Sequence, residues 1–177
     1  AIALGYFAGN TNQGTNSVAI GIQAGQATQG ESTVAIGNLA GQTQQRSGAV
    51  AVGIQAGQNR QGTNSVAIGN LAGQILQSLN SVAIGFGAGR TQQGTGAIAI
   101  GGGAGETTQG ENSVAIGNSA AQLNQNYESV AIGYFAGQSN QGIGSIAIGG
   151  AAGRYTQGND AIAIGGGSGQ TGQDDGA

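Results

Sequence analysis

The sequence predicts an all-β fold, a parallel β-solenoid or β-roll of eleven 16-residue coils, and three observations carry that prediction. The segment Ser17-Val18-Ala19-Ile20-Gly21 returns every 16 residues, as Thr33 to Gly37, Ala49 to Gly53, Ser65 to Gly69 and onward to Ala161. Within the period, position three is always Ala, position five always Gly, position thirteen always Gln, and position two always Val or Ile. Finally, 16 residues are too few for a helix-turn-helix repeat, which needs more than about 30, and a helix would not tolerate Gly at two fixed places.

Taken in order, positions one to five alternate in size, are rich in β-branched residues, and read as a strand. Gly at positions five and nine supplies positive φ or close backbone approach at corners. A second, shorter strand is expected around positions seven to thirteen, and position fourteen, Gly in seven coils, reads as another turn. Coils begin at residues 1, 17, 33, 49, 65, 81, 97, 113, 129, 145 and 161, so 1–177 reads as one array with no linker, insertion or second domain. Stacked at about 4.8 Å, eleven coils make a rod about 50 Å long.

In-register stacking turns like positions into ladders. The structural set is typified by Val18, Ala19, Ile20, Gly21 and Gln29, repeated as Val66, Ala67, Ile68, Gly69 and Gln77, with Gln93 and Gln109 continuing the amide row. One strand face carries the branched second and fourth positions, the other Ser or Ala, then Ala, then Gly. Parity leaves two arrangements open. The branched row fills the interior and the Ala face packs on a sister chain, or Ala and Gly fill a thin interior and the Val and Ile row becomes an interface. Self-association follows in both. The Gln ladder is open between amides bonded along the axis, side chains satisfying backbone groups at the neighbouring turn, and a ligand-binding row.

Composition excludes much chemistry. Cys and His are absent, which removes thiol nucleophiles, imidazole bases, disulfides and the usual zinc sites. Four Arg against seven acids give a net charge of -3, a poor match to nucleic acid or an anionic membrane. No apolar run approaches the roughly 20 residues of a membrane span, so no membrane insertion of this segment is expected. Ile, Leu, Val and Phe number 34, close to the composition at which disorder sets in, but the high net charge of disordered chains is missing. The first residue, Ala1, suggests a processed chain or an excised segment, and the regular end coils suggest an uncapped rod.

Candidate sites are few. Gly101-Gly102-Gly103 and Gly165-Gly166-Gly167 lack the Lys and helix of a phosphate loop and read as solenoid corners. Glu106 and Glu111 are the nearest carboxylate pair, without a cleft to perturb them. Arg46, Arg60, Arg90 and Arg154 fall at positions fourteen, twelve, ten and ten, so only the last two are expected to share a face, as solvated gatekeepers against lateral aggregation. Tyr6, Phe7, Phe86, Tyr134 and Phe135, all at positions six and seven, are the candidate contact aromatics. No catalytic residue, metal or cofactor is expected.

The Ser-Val-Ala-Ile-Gly unit, preceded by Asn at Asn16, Asn64, Asn80 and Asn112 and followed by a small-residue Ala-Gly step, resembles the YadA-like head repeats of trimeric autotransporter adhesins. Similar repeats occur in fibre proteins of phages and large DNA viruses. The resemblance implies a left-handed β-roll, three chains about one axis, and a bacterial surface protein that binds host matrix or other cells. The expected function is therefore a non-enzymatic rod or fibre of an adhesin, or of a virion or cell-surface filament, extracellular, partnered by itself and by a host or cell-surface receptor. The alternatives are a receptor-free self-assembling filament and an ice-binding solenoid, the latter weakened by an irregular position eleven (Thr11, Ala27, Thr43, Asn59, Ile75, Thr91).

Overall fold

The computed structural model describes residues 1–177, which form 22 strands and no helix. Each coil contributes two three-residue strands, at positions two to four and eleven to thirteen, from β1 (Ile2–Leu4) and β2 (Thr11–Gln13) to β21 (Ile162–Ile164) and β22 (Thr171–Gln173). Odd strands build one 11-stranded parallel sheet and even strands the other, each in chain order. Register is like upon like: Val82 pairs with Ile98 and Val66, Ala83 with Ala99 and Ala67, and Gln77 with Gln93 and Gln61. The β-solenoid is the fold of this chain.

Both strands are shorter than the spacing suggests, because every coil places five residues in the left-handed region, at positions five, seven, nine, twelve and sixteen. Positions five and nine are the expected glycines, with Ala121 the one exception (φ 46°). The other three are mostly not glycine. Position seven holds Phe7, Leu39 and Phe135, position twelve Asn12, Arg60 and Leu76, and position sixteen Asn16, Asn64 and Asp160, with φ between 52° and 60°. A left-handed L-residue costs about 1–2 kcal/mol. Positions seven and sixteen are held by the coil before: the Gln23 N–H donates to the Tyr6 carbonyl (2.8 Å), Leu39 does the same to Ile22 (2.9 Å), and the Ser32 N–H donates to the Thr15 carbonyl (2.9 Å).

Position fourteen corrects a detail of the sequence reading. Its glycines are there for close approach, not for positive φ: a Cβ on Gly94 would lie 2.6 Å from the Glu111 backbone nitrogen in the next coil.

The interior takes the second of the two open arrangements. Ala fills it, at position three (Ala19, Ala35, Ala67, Ala83) and position eight (Ala24, Ala40, Ala72, Ala88), all fully buried, and no Val, Leu, Ile or Phe is buried anywhere. The two core clusters consist of Ala alone. Beside position three the coil is too thin for a branched side chain, since a Cβ on Gly41 at position nine would already lie 3.2 Å from the Ala35 Cβ across the interior. Because Ala buries so little apolar surface, cohesion falls to the 125 backbone–backbone hydrogen bonds, most of which join coil to coil while the rest close turns within a coil. Each contributes a net 0.5–1.5 kcal/mol or so.

Gly69 tests this geometry. Its φ is +125° and a Cβ there would sit 2.7 Å from the Gly85 carbonyl oxygen. Gly69→Val is expected to lower stability by about 3 kcal/mol or more, read as a fall in the thermal midpoint by circular dichroism. A midpoint equal to the parent's would contradict the stacked-coil account.

Candidate functional site

Three features of the rod bear on function: a buried amide ladder, an outward apolar face, and a polar rim of position-ten side chains.

The Gln ladder of position thirteen lies inside. Gln29, Gln45, Gln61, Gln77, Gln93, Gln109, Gln125, Gln141 and Gln157 are all buried, and Gln is the largest fully buried side chain of the protein. Both structural readings of the sequence meet in one geometry. Each Nε2 donates to the position-two carbonyl of its own coil, as from Gln61 to Val50 (2.7 Å) and from Gln93 to Val82 (2.7 Å). Several also donate to the Oε1 of the next Gln, from Gln29 to Gln45 (3.2 Å), Gln45 to Gln61 (3.1 Å) and Gln93 to Gln109 (3.2 Å). The amide row is interrupted, so the Oε1 atoms of Gln29, Gln77, Gln93 and Gln125 receive no donor. The side chain also lies over position nine, where a Cβ on Gly57 would be 2.6 Å from the Gln61 Oε1. Fixed Gly and fixed Gln are thus one packing unit. Beside them, the position-one hydroxyls are buried and donate to the carbonyl three residues back, as from Ser65 to Gly62 (2.7 Å) and Ser113 to Gly110 (2.7 Å).

Outside, the branched residues of positions two and four line the solvent face of the first sheet. Position two is half-buried through most of the rod, and Ile36, Ile68, Ile100, Ile132 and Ile148 at position four are exposed. Position six widens the band with exposed Tyr6, Ile22, Ile54, Phe86 and Tyr134. Two rows over eleven coils project roughly 500 Å², at the upper end of what lone soluble proteins leave bare.

The candidate aromatics do not gather into one site. Tyr6 and Phe7 pack together in the first coil (centroids 4.2 Å), Tyr134 and Phe135 in the ninth (4.0 Å), and Phe86 stands alone in the sixth. Phe135 carries the Arg154 guanidinium 4.6 Å from its ring centroid.

Position ten varies among Gln, Arg, Glu and, in the first coil, Asn10, which hid from sequence reading that it is a second polar ladder. Gln42 donates to Gln26 (3.0 Å), Gln58 to Gln42 (3.0 Å), Gln74 to Gln58 (3.1 Å) and the Arg90 Nε to Gln74 (3.2 Å). Arg90 and Glu106 form an ion pair (3.6 Å), and Gln122, Gln138 and Arg154 continue the row by donating in turn to Glu106, Gln122 and Gln138 (2.9, 3.1 and 2.9 Å). These donors point to earlier coils, opposite to the inner ladder. Glu106 therefore belongs to this row, whereas Glu111 lines a groove at another corner, so the structure does not bring the two carboxylates together.

The YadA head domain repeat matches this chain in two copies, over residues 13–40, 61–72 and 93–120. Over these stretches the rod is similar to YadA-like head repeats. The matched stretches contain the Ser-Val-Ala-Ile-Gly strand, the Gly corner and the Gln of position thirteen, the elements that the packing above makes interdependent. It is a structural repeat of adhesin-like type. Neither the curated proteins nor the solved structures yielded a match to the chain.

Gln61→Glu probes the inner ladder of the YadA-like repeat. A carboxylate buried there without a cationic partner has its folded-state pKa raised. Stability is then retained below the unfolded carboxyl value of about 4.3 and falls progressively as pH rises above it. Urea unfolding at pH 4 and pH 7 reads the difference; equal stability at both would show that Gln61 is not buried as described.

Proposed function

We propose that the chain is a non-enzymatic structural segment of a surface-exposed adhesin or fibre, a rigid rod that assembles as a homotrimer through the outward Val and Ile face. The observation that supports this reading is the inversion of the core. Every coil hides Ala and displays its Val and Ile, and burying each such side chain would contribute about 1.5–3 kcal/mol, a gain available only from a partner. A second and third copy of the chain are that partner. Each offers the same face with the same coil spacing, and YadA-like head repeats are trimer-forming. Fixed Ala, Gly and Gln serve the coil, and the variable positions twelve and fifteen are left for whatever the rod meets. A receptor on a host or cell surface is the remaining partner in this reading.

Sedimentation over a range of concentrations tests the assembly. A fixed mass three times the 17.0 kDa chain is expected. A variant carrying Ile68→Lys, Ile84→Lys and Ile100→Lys should sediment as single chains with an unchanged circular dichroism spectrum. Single chains of the parent at every concentration would refute the trimer, and species growing without limit would replace it with an end-to-end filament.

A further inference from the structure

Two of the four arginines are engaged by the rod and two are not. Arg90 and Arg154 each donate through Nε to a Gln of the position-ten row. Arg46 and Arg60, expected from their positions to lie on different faces, instead line the same groove. Both are exposed, and neither guanidinium makes a hydrogen bond or ion pair, the Arg90–Glu106 pair being the only salt bridge in the chain.

The groove runs along the rod between the position-twelve wall (Thr28, Arg60) and the position-fifteen wall (Thr63), over a floor of position fourteen (Arg46, Ser78), and encloses about 800 Å³. A second stretch of about 440 Å³ shares Ser78 and continues it toward Glu111 and Tyr127. Charge divides along this line. Residues 17–80 hold two arginines and one acid, residues 81–177 two arginines and six acids. The stretch of the groove around Arg46 and Arg60 in coils three to five is thus where an anion is favoured, and the position-fifteen carboxylates beyond it, Glu31 on one side and Glu111 on the other, repel one.

We propose that this groove binds an acidic oligosaccharide, with Arg46 and Arg60 taking carboxylate or sulfate groups on neighbouring sugars and the flanking Thr and Ser hydroxyls taking ring hydroxyls. Arginine forks match both anions bidentately. The two arginines sit on adjacent coils, about 4.8 Å apart along the axis, a rise comparable to one sugar of an extended glycan. An extended peptide is a poorer occupant, because strands inside the stack have both edges paired and offer nothing for strand addition. A nucleic acid would meet only two cations in a chain of net charge -3. Because the groove lies on a corner apart from the Val and Ile face, its occupancy and the trimer are tested separately.

Calorimetric titration with a heparin hexasaccharide and with a galacturonate hexamer, beside neutral maltohexaose and a thymidine oligonucleotide, tests the proposal. At least one acidic hexamer is expected to bind, more weakly as salt is raised, and which one distinguishes sulfate from carboxylate. The variant Arg46→Gln with Arg60→Gln should keep the parent's thermal midpoint and lose at least about tenfold in affinity. Failure of both acidic hexamers to bind, equal affinity of the variant, or equal binding of maltohexaose or the oligonucleotide would each overturn it.

Discussion

The thinness of the coil governs this molecule. Two three-residue strands face one another across an interior that holds the Gln amides of position thirteen and, at positions three and eight, little more than a methyl group, which leaves no place there for Val or Ile, and the other regularities follow from that. Ala occupies positions three and eight because nothing larger fits, and Gly occupies position nine because the Gln of position thirteen lies over it. The branched residues that strands prefer are therefore displaced outward. There they still favour extended backbone, but their burial requires another molecule.

With so small an apolar core, polar groups take over the work of specifying the stack. Backbone bonds fix the coil spacing, and the buried Gln amides reward only like-on-like register, since a slip of one residue would set Gln against backbone it cannot satisfy. The position-ten row adds a second chain of side-chain bonds on the outside, running in the opposite direction. Within it, Arg90 and Glu106 replace two glutamines without breaking the row, which shows that the constraint there is donor and acceptor pattern rather than residue identity.

That difference explains what could be read in the sequence. The period, the first strand, the glycine corners at positions five and nine and the Gln row were legible because each repeats one residue type, or one pair of similar types, in all or nearly all coils. The side on which the core lies was not, since a Val and Ile face and an Ala face are both apolar and strand alternation is symmetric between them. Left-handed residues at positions seven, twelve and sixteen were hidden because Phe7, Leu39 or Arg60 carries no local signal for positive φ; the neighbouring coil enforces it. The Asn residues at positions sixteen and twelve and the scattered glycines at seven and sixteen were the local signals present, and they do not recur in every coil. Arg46 and Arg60 were separated by position number, yet positions twelve and fourteen flank the same corner.

The most direct test of this account is the stability of Ala83→Val. Ala83 is fully buried in the first sheet, paired with Ala67 and Ala99. If the interior is as thin as described, the two added methyl groups cannot be housed, and urea unfolding should show a loss of about 1–3 kcal/mol or failure to fold. An unchanged or raised stability would mean that the interior has room for branched side chains, and that the face assigned here to the core is the outer one.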